Sequence, residues 1–435
     1  FTSKPGFSKV GSYTGNGSTS GPMVQTGFEP AFLMIKTTGA DGWFMVDNKR
    51  ETSNPRGNRL FANSSVAEAS EPGAQVNFYA NGFQLTGSGG GQGQTNSNGQ
   101  TYIYLAIAAD GSTATPSLAN SFATEIYSGN GGTQAITTGF KPDLIWFKDR
   151  GGTYSHSLYN SISGRDRFLR SNSTNSESTG ASATQDLVSF DTNGFTLGTD
   201  YHTVNNASGR NYVAWNWKAG DTPAINTDGS TTSLVSANQA AGFSIVQYTA
   251  AGTTIAGHGL SQAPELIIQR LYNITSNWFV YSATTGLLNY LKLNDTSALA
   301  TDSSWISAVT NSTFTEAWSG GSYSYINYCW HSVAGYSKVG TYTGLGSGGP
   351  LTVNMGFAPT LGLIKRTDST GGWRMFDTVR GTDKSLQANS SAAEYDDVSN
   401  YMDFTSTGFY FSTSQANPDI NAAGGTYIYL AIKEN

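Results

Sequence analysis

The chain has 435 residues, of which 37% are hydrophobic, 12% aromatic and 12% charged, with 52 glycines. That length exceeds one ordinary domain and suits three or four. The aromatic content excludes a disordered chain, and a net charge of −6 without any Lys/Arg cluster argues against a nucleic-acid partner.

Self-similarity organises the elements along the chain. Residues 7–17 read FSKVGSYTGNG, followed by GFEP at 27–30, the apolar strand FLMIK at 32–36, Gly42-Trp43, ANSSVAE at 62–68 and TYIYLAI at 101–107. The last copy repeats the order: YSKVGTYTGLG at 336–346, GFAP at 356–359, Gly372-Trp373, ANSSAAE at 388–394 and TYIYLAI at 426–432. These are type A modules. Two middle copies, type B, carry EIYSGNG at 125–131 with YVAWNWKA at 212–219, and GFSIVQYT at 242–249 with YINYCWH at 325–331. The expected modules are therefore 7–109 (A), 121–219 (B), 241–334 (B) and 335–435 (A). Residues 1–6 read as the end of a missing upstream module, because FTSKPGFSKVG aligns with WHSVAGYSKVG at 330–340. The Gly-, Ser-, Thr- and Pro-rich stretches 110–121 and 220–240 are expected to be exposed connections, whereas the short third-to-fourth junction should be stiff.

Period-two patterning with Gly, Asn and Pro at the breaks predicts an all-β fold. Each module is expected to be a two-sheet antiparallel β-sandwich of jelly-roll or lectin-like form, four in tandem. In TYIYLAI one face carries Ile103, Leu105 and Ile107 and the other Tyr102, Tyr104 and Ala106, so neither face suits water. One should be core and the other should lie against a neighbouring layer or another chain. A single helical turn at 64–69 is the one helical element expected. Trp43, Trp278 and Trp373 recur at one repeat position and read as core; the second copy has no Trp there.

Little chemistry emerges. The glycine run 87–93 lacks a P-loop's Lys-Ser/Thr and reads as a hairpin tip. The four histidines have no metal-ligand spacing, no cofactor is implied, and Cys329 reads as a small buried hydrophobe. Glu29, Asp143 and Glu265 sit around the G-F-x-P position, where the fourth copy has Ala358 and Thr360, so they read as surface, not as glycosidase carboxylates. No apolar run reaches the ~18 residues of a membrane span, so no membrane insertion is expected. Trp305, Trp318 and Tyr323 lie in a stretch with few apolar neighbours and are the candidate glycan-binding residues.

Together GFSIVxYT, the closing aromatic strands, GYSKVGTYTG, ANSSxAE and TYIYLAI resemble a repeat region in tail-fibre or appendage proteins of marine tailed bacteriophages. The resemblance covers essentially the whole chain and implies a non-enzymatic virion structural protein, extracellular in location. It implies a homo-oligomer, a trimer being favoured, contacts with other virion proteins, and adhesion to a host-surface glycan. Alternatives are a capsid or collar decoration, a polysaccharide depolymerase and a cellular surface adhesin.

Overall fold

The computed structural model describes residues 3–87, 94–108, 118, 120–179, 181–317, 321–396, 402–412 and 417–434. Phe1, the connection 110–117 and most of the hairpin tip lie outside them. The chain forms two compact units: residues 1–115 with 222–225, and residues 116–221 with 226–435. The first holds one module and the second holds three.

Each module is a sandwich of antiparallel sheets, as the alternation predicts. In the first, the opening strand Ser8–Thr14 pairs with the closing strand Thr101–Ala108, which pairs with the central strand Pro30–Thr37 and then Phe44–Asp47 and Asn58–Phe61. A second sheet orders Ser20–Gln25, Gly82–Thr86 and Gln75–Tyr79. The fourth module repeats this with Ser337–Thr343, Thr426–Ile432, Leu361–Arg366, Arg374–Asp377 and Lys384–Gln387. In the second, Phe122–Ser128, Asn211–Trp217, Leu144–Asp149 and Ser157–Asn160 stand in that order. The third uses Phe243–Ala250, Tyr323–Trp330, Leu266–Leu271, Trp278–Ser282 and Asn289–Lys292.

Recurrent residues lock each sandwich. A tyrosine near the end of the opening strand stacks on one near the start of the closing strand: Tyr13–Tyr102 at 5.2 Å, Tyr127–Tyr212 at 5.4 Å, Tyr248–Tyr325 at 4.9 Å and Tyr342–Tyr427 at 4.9 Å. The glycine of SKVG has a steric reason. A Cβ on Gly340 would lie 2.4 Å from the Tyr429 hydroxyl, and one on Gly11 would lie 2.7 Å from that of Tyr104.

Two expectations fail. Residues 64–68 form no helical turn; they run into the short strand Ala69–Ser70, because the segment finds a strand partner in Asn58–Arg59. The stretch 220–240 is not an exposed connection. Ser233–Asn238 is a strand paired with Phe243–Ala250, and its small polar side chains are buried and bonded. Ser233 donates to Gly257 O at 2.9 Å, and Asn238 donates to Ser121 Oγ at 3.1 Å. Residues 222–225 belong to the first unit, where Asn81 bonds both backbone groups of Ile225 at 2.7 Å.

Candidate functional site

The large sheet of each module has two apolar faces. In the fourth module Tyr427, Tyr429 and Ala431 enter that module's own core, while Ile428, Leu430 and Ile432 enter a second core. That second core is shared. It joins Trp146, Val213, Trp215 and Trp217 of the second module to Ile268, Trp278 and Trp330 of the third and Leu363 and Trp373 of the fourth. Three modules thus pack as a closed ring, each burying the face that sequence alone left unassigned.

The ring has a repeating chemical joint. Trp278 and Trp373 stand four residues before the end of equivalent strands, and His156 holds that place in the second module. Trp278 donates its indole N–H to Arg170 O at 2.8 Å, and Trp373 donates to Lys292 O at 2.8 Å. His156 Nε2 meets Gln387 O at 2.9 Å, and its Nδ1 accepts the indole N–H of Trp146 at 2.9 Å, so the proton resides on Nε2. Arg170, Lys292 and Gln387 occupy one repeat position, so each module bonds the same point of the next. A backbone bond recurs the same way: Glu177 N to Tyr272 O at 2.8 Å, Leu299 N to Thr367 O at 2.9 Å and Glu394 N to Arg150 O at 2.8 Å.

Charge reinforces the joints. The cation one residue before the end of each central strand caps carbonyls: Arg270 bonds Thr174 O and Asn175 O of the second module, Lys365 bonds Thr296 O of the third and Gly371 O of its own, and Lys148 bonds Asp149 O and Gly152 O within its own module. Burial pulls Lys148 and Lys365 down to about 8 and Arg270 to about 10. On the fourth module's side of its joint with the second, Arg380 bridges Asp377 at 2.5 Å and Glu394 at 2.9 Å within the module, and both carboxylates also meet the second module. Arg150 meets Glu394 at 2.9 Å, and Trp215 Nε1 donates to Asp377 at 3.0 Å.

Of the predicted site residues, the two among the described ones both lie at the third module's own core. Trp305 is fully buried in the third module's own core, 5.4 Å from the Phe279 ring, and offers no surface to a sugar. The expectation failed because the aromatic partners of Trp305, Phe279 and Tyr290, come from strands 15 and more residues away. Tyr323 is half-buried against the same core, and Trp318 lies outside the described residues. Asp143 is not at the surface either. It is buried, takes bonds from Ser161 Oγ at 2.7 Å and Ala219 N at 2.8 Å, and burial raises its pKa to about 6. Cys329 is buried as expected. Among the described residues no group of three or more His, Cys, Asp or Glu is placed to hold a metal.

A family model for a domain of unknown function, DUF7483, matches residues 1–110 and 117–435. The chain belongs to the DUF7483 family. No curated protein and no solved structure matches it. The joints of this DUF7483 chain connect its second, third and fourth modules; they are the best-defined interaction chemistry among the described residues. The recurring tryptophan was legible, but its role at a joint was not, and His156 was invisible because it shares no side-chain type with Trp278 and Trp373. Counting back from Asn160, the equivalent of Ser282 and Asp377, would have found it. Trp43, read as core, is only half-buried in the first unit.

Proposed function

We propose that this DUF7483 chain is a non-enzymatic structural protein of a virion appendage, such as a tail fibre, serving as a rigid extracellular spacer that presents its outer loops to a host surface. The observation that supports it is the closed ring of three modules. Its joints use backbone carbonyls, buried cations and an indole core, which suits mechanical persistence without disulfides. Phage fibres commonly reach stiffness by trimerising; here threefold packing arises within one chain. Contacts with other virion proteins and with host glycans fall to the outward loops, where avidity across many copies makes weak contacts sufficient.

Cryo-EM of virions from the source sample tests this. Density for the three-module ring in a tail-attached appendage is the expected result. Density on capsid faces would make the protein a decoration, and absence from every virion would overturn the proposal.

A further inference from the structure

The first module carries the ring-forming face but no ring. Val10 and Ile103 are 43% and 42% exposed, whereas their equivalents Val339 and Ile428 in the fourth module are 4% and 2% exposed. Phe7 is 56% exposed where Tyr336 is 2% exposed. Met34 and Trp43 of the same face are half-buried, and their equivalents Leu363 and Trp373 lie in the shared core. The polar half of the joint is also present. Arg50 bridges Asp47 at 2.6 Å and Glu68 at 2.6 Å, matching Arg380 with Asp377 and Glu394.

We propose that this face of the first module is a seat for two further type B modules, which complete a second B–B–A ring around it. Two observations select type B over copies of the first module. In the existing ring Asp377 receives the indole N–H of Trp215, and Glu394 receives Arg150. A copy of the first module presents Leu105 and Thr38 at those positions, which answer neither carboxylate. Size agrees. The closing strands bring Trp217, Trp330 and Ile432 into the ring's core, with the two indoles 6.2 Å apart. Three copies of the first module would supply Ile107 three times and leave unfilled the difference in volume between two tryptophan and two isoleucine side chains. The chain's own second and third modules are engaged by the fourth, so the occupants are additional modules.

A thiol placed on the seat tests this, with a quiet background because Cys329 is buried and burial pushes its thiol pKa up. Ile103→Cys is made in the full chain, and again in an extended chain where residues 121–334 are repeated ahead of Gly6. This join copies that of Ala334 to Gly335, since Gly6 and Gly335 share a turn with φ of 72° and 76°. The full chain should sediment as a monomer, and its introduced thiol should react freely with a thiol reagent. The extended chain should react at least tenfold more slowly at that thiol, while Tyr201→Cys, on a residue 59% exposed, stays reactive in both. A trimer of the full chain with the introduced thiol protected would show that copies of the first module fill the seat, and would overturn the proposal. So would undiminished labelling in an extended chain whose circular dichroism and melting show the added modules folded.

Discussion

His156 takes a hydrogen bond from Trp146 on one nitrogen and shares one with Gln387 O on the other. Burial holds its pKa well below the usual 6.5. As pH falls through ~6.5, the unfolded chain therefore takes up a proton that the folded chain refuses. The histidine's contribution is full above that pH and lost below it. His156→Phe should cost about 2–4 kcal/mol at pH 7, by stranding the Trp146 N–H and the Gln387 carbonyl. Urea unfolding from pH 7 to 5 should show a smaller loss in the variant than in the native chain. Glu316 runs the other way. It is enclosed by Tyr248 at 2.6 Å and Gln269 at 2.7 Å, and burial raises its pKa from 4.5 to about 7. Its folded pKa is raised, so stability is highest below 4.5 and declines as pH rises towards 7. Glu316→Gln should remove that decline, changing the difference from the native chain by up to about 3 kcal/mol between acid and neutral pH.

At the scale of strands, the module repeats because a few contacts need particular side chains. The glycine of SKVG lets the tyrosine of TYIYLAI lie across the opening strand. Gly340→Ala should lower the stability of the three-module unit by about 1–3 kcal/mol, read by denaturant titration, because Tyr429 must leave its rotamer. The strand content and the two-faced closing strand were legible in sequence, since alternation reports which side chains share a face. What covers the second face was not, because His156 and Gln387, or Trp278 and Arg170, are more than a hundred residues apart. The strand Ser233–Asn238 hid for a different reason. Serine and asparagine read as loop, yet they are buried here by pairing with donors and acceptors that only the fold supplies. Trp305 misled in the same way, for its core partners are distant in sequence.

At the scale of the whole molecule, one core spanning three modules implies one cooperative transition for them. Calorimetry of the full chain should resolve two events, the larger belonging to the three-module unit and the smaller to the first module. Trp373→Ala removes a side chain that packs in the shared core and bonds Lys292 O, and should cost about 3–5 kcal/mol. It should move the larger transition as a whole and leave the smaller in place. A separate third event for the fourth module would count against the shared core. Glu394→Ala should act likewise, by about 3–5 kcal/mol, since it leaves Arg150 facing the fully enclosed Arg380 without the carboxylate between them.

A ring whose closing piece is made last has a consequence for synthesis. While residues 335–435 are still being translated, at roughly 5–20 residues per second, the fourth module is not yet there to cover Trp146, Trp217 and Trp330 or to answer His156 with Gln387 O. The nascent chain therefore carries an open, indole-rich groove for on the order of ten seconds, long enough to meet a neighbouring polysome's identical groove. Production of soluble protein should accordingly depend less on how fast each sandwich folds than on how far apart the ribosomes are spaced along the message.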